Sequence, residues 1–166
     1  VTELTDVHER SELLLDFFEV TSLILLNIYL SAGITAESTF DPATIKIEKR
    51  VQDINLASFG AWTKWGADLA AEIRRAKNED SESVRQAFRF DDEIITKLVS
   101  KRIWSTLERA RELRAGRAHG RTRGKSGIAE ANEEAEQLLL DLRRELAGVF
   151  ESIKFLRQEL VTRSAV

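Results

Sequence analysis

The chain has 166 residues, 43% of them hydrophobic and 32% charged, with a net charge of −3, and this is the composition of a folded domain with a real apolar core. It has no cysteine and only two histidines, which excludes disulfides, thiolate chemistry and a histidine-rich metal site, and a reducing, cytoplasmic setting is expected. One proline and eight glycines leave few breaks, so long helices are expected.

A first helix is predicted to start at Thr5 or Asp6, where Glu9 stands three residues after Asp6 as a capping-box partner. From Leu13 to Leu30 the run LLLDFFEVTSLILLNIYL is apolar almost all round, which suits a helix in the middle of a bundle. A membrane span is the competing reading, and the expectation is that none occurs. Asp16, Glu19 and Asn27 interrupt a segment that is already close to the minimum length of about 18–20 residues. Gly33 is a suitable stop. Residues 34 to 55 read as a connection containing Pro42, with a short helix around Thr44 to Val51. His8, near the start of the first helix, reads as a surface residue.

The second helix is expected from Leu56 to Lys77. In it Phe59, Trp62, Gly66, Leu69 and Ile73 recur at three- and four-residue spacing and form one buried face. Trp62 and Trp65 have the chemistry of a base-stacking pair, but the position of Trp62 on the apolar stripe favours packing. Asn78 to Ser83 reads as a polar loop, and Ser81 or Ser83 is a cap for a short helix ending at Phe88. A third long helix then starts at Asp91 or Asp92. Its core-facing stripe passes through Ile95, Val99, Ile103, Leu107 and Ala110, and four residues further it reaches Arg114. Gly116 or Gly120 should end this helix. GRTRGKSG, residues 120 to 127, reads as a basic loop. The last helix is predicted from Ile128 to Val161, with a near-heptad apolar seam that needs partners from its own chain or from a second subunit. The fold class expected is all-α: a mainly antiparallel bundle of four long helices with one or two short ones, as a single domain over 1–166. The absence of methionine even at position 1 suggests a domain cut from a larger polypeptide.

Function is concentrated between Lys101 and Gly127, which holds nine Lys or Arg against two Glu, a net of +7. Arg114 and His119 are separated by four residues. An imidazole exchanges protons near neutral pH, and a guanidinium grips a phosphate through two parallel hydrogen bonds. Together they meet the needs of RNA cleavage by its own 2′-hydroxyl without a metal or other cofactor. Arg109, Arg111, Arg117, Arg121, Arg123 and Lys125 would hold the strand through its phosphates.

The stretch ARELRAGRAHG, at the end of an inner helix of an all-helical chain, resembles the Arg-x4–6-His signature of the HEPN superfamily (higher eukaryote and prokaryote nucleotide-binding domains). The resemblance implies a metal-independent endoribonuclease of bacterial defence or toxin systems, with Arg114 and His119 catalytic. It also implies a homodimer whose paired motifs form one site, working beside other domains of a parent protein or a cognate regulator. Some family members have lost catalysis, so a non-catalytic assembly or nucleic-acid-binding module is the alternative. On the residues alone, the arginines also suit a solvated helix end, because cations are favourable against a helix C-terminus. No Glu stands three residues before either histidine, which excludes a di-iron bundle site, and there is no phosphate-binding Gly-x4-Gly-Lys-Ser/Thr loop.

Overall fold

The computed structural model describes residues 2–35, 58–118 and 125–152, and the side chains of 9–33, 58–117 and 127–150. The described residues form an all-α bundle of four long helices, α1 (Thr2–Thr35), α2 (Phe59–Glu79), α5 (Lys101–Ala118) and α6 (Lys125–Glu145). Three short ones accompany them: α3 (Ser81–Phe88), α4 (Asp92–Leu98) and α7 (Val149–Ser152). The predicted short helix at 44–51, the connection around Pro42 and the side chain of His8 lie outside what is described.

The bundle is organised around α5, which runs antiparallel to each of the other long helices. Arg117 and Arg114 reach the early part of α1, at Glu12 and Glu19, whereas Trp104 meets Tyr29 near its other end. Arg109 pairs with Glu134 and Arg102 with Glu145 on α6 in the same opposed sense. The predicted stripe is buried throughout, with Ile95, Val99, Ile103, Leu107 and Ala110 all at 2% exposure or less. On the facing side of α2, Phe59, Leu69 and Ile73 are buried, as is Trp65, and Trp62 is partly buried against the same core. Both tryptophans therefore pack, Trp65 more deeply than Trp62 of the predicted stripe.

The closest approach in the core is between Gly66 of α2 and the indole of Trp104. A Cβ at position 66 would lie 1.9 Å from Trp104 Cη2. The same indole donates from Nε1 to Tyr29 Oη at 3.2 Å, and the Tyr29 hydroxyl donates to the Leu98 carbonyl at 2.5 Å. One aromatic chain thus ties α1, α2, α4 and α5 together at a single level.

Element boundaries depart from expectation where polar residues act locally. α1 extends to Thr35, two residues past Gly33, and α2 continues through Asn78 to Glu79. Only Asp80 of the predicted loop stays out of a helix, and its carboxylate accepts from Ser83 N to cap α3. The expected third long helix is two. Asp91 caps α4 by accepting from Ile94 N at 2.9 Å, and the chain turns at Val99 and Ser100. Ser100 Oγ then accepts from Arg102 N at 3.2 Å to begin α5. Arg74 of α2 reaches across and donates to the Val99 carbonyl at this break. α5, by contrast, runs through Gly116 to Ala118, between the two glycines expected to end it.

The long C-terminal seam is also interrupted. α6 starts at Lys125, three residues before the predicted Ile128, and ends at Glu145; Gly148, at φ 79°, then turns the chain into α7. Positive φ is available to glycine at little cost, so this residue is the natural breaking point. Ala131, Ala135, Leu142, Leu146 and Val149 are buried within the chain itself, which supplies the partners this part of the seam required.

α1 is less enclosed than its composition suggests. Leu15, Phe18, Leu25, Leu26 and Tyr29 enter the core, but Leu13 (70%) and Val20 (53%) remain exposed, with Phe17 and Leu23 beside them. Among the described residues, Glu9–Gly33 is also the one segment long and apolar enough to cross a membrane by length and composition.

Candidate nucleic-acid interface

Arg114 lies in the last turns of α5, one step beyond the buried Ala110, where the core-facing stripe reaches the end of the bundle. Its guanidinium faces α1. Nη1 donates to Glu19, and Nη2 pairs with Asp16 Oδ1 at 3.3 Å. The two carboxylates that interrupt the apolar run of α1 are therefore the partners of this arginine. Arg114 keeps 37% of its side chain exposed, so a solvent-borne anion can reach it.

Arg117, one turn further, is more enclosed, with 11% side-chain exposure. It donates to Ser11 Oγ and pairs with Glu12 Oε1 at 3.3 Å. Glu12, Asp16 and Glu19 follow at four- and three-residue spacing, which places them on one face of α1. The α1–α5 seam at this end is thus a ladder of two arginines and three carboxylates, with a local charge of −1.

The other described arginines of the basic segment are paired as well. Arg111 forms two parallel hydrogen bonds with Glu108, at 3.0 and 2.6 Å, and its stem crosses Gly60, whose added Cβ would lie 3.2 Å from Arg111 Cδ. Arg109 bridges Glu134 on α6 and Glu112 on its own helix, the latter at 3.0 Å. The hydrogen bonds from Arg109 to Glu134 and Glu112, and from Arg111 to Glu108, raise both guanidinium pKa values further. Each is charged at any working pH.

Sequence reasoning placed Arg109, Arg111, Arg114 and Arg117 together, and the structure brings them onto α5 facing α1, α2 and α6. His119, Arg121 and Arg123 lie outside the described residues, and Lys125 opens α6 with its side chain undescribed. What the sequence reading missed was the set of counter-charges. Their signal was present in the spacing of Glu12, Asp16 and Glu19, which registers only as breaks in an apolar run until α5 is packed alongside. Among the described residues no group of three or more His, Cys, Asp or Glu is arranged to hold a metal ion.

No protein-family model matches this chain. No curated protein and no solved structure matches it either.

The ladder can do two things chemically. It holds the end of α5 against α1 through partly exposed ion pairs, each worth about 0.2–1 kcal/mol. It also presents a partly exposed guanidinium whose two terminal nitrogens meet oxygens of two separate carboxylates, and these are donors that a phosphate can also engage.

Proposed function

We propose that this chain is a HEPN-like helical domain that cleaves RNA without a metal, in the cytoplasm, as part of a bacterial defence or toxin system. The observation that supports this reading is the placement of Arg114. The stripe that packs α5 into the core delivers its guanidinium to the partly exposed end of the bundle, oriented by Glu19 and Asp16 and five residues ahead of His119. In the reaction, His119 takes the proton of the 2′-hydroxyl as that oxygen attacks the adjacent phosphorus. The bond from phosphorus to the 5′-oxygen breaks, and the leaving oxygen takes up a proton. Arg114 offsets the charge that builds on the phosphoryl oxygens. Arg109, Arg111, Arg117, Arg121, Arg123 and Lys125 hold the strand, and a second copy of the chain supplies the paired motif.

RNA cleavage in EDTA tests the proposal, comparing the wild type with His119→Ala and Arg114→Ala at matched folding. The expected result is 2′,3′-cyclic phosphate ends from the wild type and a loss of ~10²-fold or more in each variant. Cleavage unaffected by either change removes the site assignment.

A second reading, a non-catalytic assembly or nucleic-acid-binding module, has its own observation. Arg102, Arg109, Arg111, Arg114 and Arg117 all have carboxylate partners, as a structural role requires, and Leu13, Phe17 and Val20 form an exposed apolar strip on α1. On this reading Arg114→Ala alters stability with no effect on RNA, and Phe17→Asp alters the assembly state measured by light scattering.

A further inference from the structure

The α1–α5 ladder is more than the proposed site needs for packing. Arg114 is engaged by two carboxylates from different turns of α1, and Arg117 by a third with a serine hydroxyl. Asp16 (58%) and Arg114 (37%) are both open to solvent, so this pair forms at the surface, where an incoming anion can compete, whereas Glu19 and Arg117 are more enclosed and are reached after it. Among the described residues of this seam three negative charges stand against two positive, so the carboxylates oppose a phosphate at the two arginines until they let go. A guanidinium offers the same donors to a carboxylate and to a phosphate, so RNA phosphates compete with Glu19 and Asp16 for the terminal nitrogens of Arg114.

We propose that Glu12, Asp16 and Glu19 serve as an internal counter-anion that occupies Arg114 and Arg117 and must be displaced by RNA phosphates, so that α1 sets the threshold for strand binding. This rests on the reading of the basic segment as an RNA site and adds its regulation. Binding then has two parts: release of the carboxylates, which swing to solvent, and engagement of the freed arginines by consecutive phosphates. Because each engaged phosphate sheds its counterions, the number of arginines freed is readable from salt dependence. The arrangement also confers selectivity. A polyanion with closely spaced phosphates displaces several carboxylates together, whereas a single small anion displaces one and leaves the repulsion of the others.

The test uses a fluorescent 2′-O-methyl oligouridylate, which lacks the attacking hydroxyl and so reports binding alone. The wild type is compared with Asp16→Asn/Glu19→Gln and with a charge-matched control, Glu72→Gln/Glu82→Gln, located on α2 and α3 toward the opposite end of the bundle. The site variant should bind roughly 2- to 30-fold tighter than the control, the range expected for removing two partly exposed competing pairs. Its plot of log affinity against log salt should be steeper by ~0.7 for each phosphate newly engaged. Asp16→Asn alone, at an exposed carboxylate, replaces the double variant should that one fail to fold, and it should show the same change at smaller size. If the wild type binds and the site variant behaves like the control, the counter-anion role is wrong and the RNA reading stands. If tighter binding survives the further change Arg114→Ala/Arg117→Ala, the carboxylates act through net charge and the proposal fails. If none of the proteins binds the strand, the RNA reading falls and this inference with it.

Discussion

Replacing Gly66 with alanine adds one methyl group at the tightest point of the core. The new Cβ would stand 1.9, 2.4 and 2.6 Å from three atoms of the Trp104 six-membered ring, well inside van der Waals contact. The ring is held in place by burial and by a hydrogen bond. It is 4% exposed, its Nε1 donates to Tyr29 Oη, and that hydroxyl in turn donates to the Leu98 carbonyl. Alanine recovers up to about 1 kcal/mol of helix propensity over glycine. Against this stand an overpacking cost of about 1–3 kcal/mol and about 1 kcal/mol for the hydrogen bond lost when the indole shifts. The balance is a net destabilisation of ~1–3 kcal/mol, with α5 moved relative to α2 and the Arg114 end displaced. Gly116→Ala is the matched control. It makes the same chemical change within the same bundle, but nothing lies within 4 Å of the added Cβ. There only the propensity gain remains, so this variant should be more stable by ~0.5–1 kcal/mol. Urea unfolding followed by circular dichroism, analysed at a common slope, measures both. A Gly66→Ala protein as stable as the wild type would show that Trp104 does not lie against α2 at this level, and the account of how α5 is seated would be wrong.

Tyr29 is the only tyrosine, so its phenolate absorbance reads one group. Burial raises its pKa far above the ordinary 10, opposed by the Trp104 hydrogen bond and by the Arg74 charge. The folded protein keeps this proton while the unfolded chain releases it near pH ~10, so the contribution to stability is complete below that pH. Above it, stability falls as pH rises, with a slope approaching ~1.4 kcal/mol per pH unit from this group. Phenolate absorbance should therefore appear together with loss of helical circular dichroism, and phenolate formed in a folded protein near pH ~10 would refute the buried placement. Asp91→Ala removes the cap of α4 and should cost about 1 kcal/mol in urea unfolding, with Asp91→Ser recovering most of it. An alanine variant of unchanged stability would mean that α4 is held by packing alone.

Much of the architecture is a local matter, legible from residue spacing. The stripe from Ile95 to Ala110 and the face from Phe59 to Ile73 follow from helical periodicity, because a helix buries one side whatever its neighbours are. The same spacing brings Arg114 to the end of the stripe, at the partly exposed end of the bundle. Boundaries were harder to read. Ser100 breaks one predicted helix and Gly148 another, whereas Gly116 breaks none, and these three differ in partners and backbone angles that composition does not specify.

The amino-acid sequence by itself determined the all-helical class, the buried faces and the concentration of positive charge between Lys101 and Gly127. Only the tertiary structure decided what those charges meet. Glu12, Asp16 and Glu19 lie about a hundred residues from Arg114 and Arg117, and Glu134 lies across a helix interface from Arg109. Periodicity sets which face a helix buries, since that depends on neighbours three and four positions away. Which distant face it is buried against depends on how the helices pack, and an arginine's partner is chosen at that level.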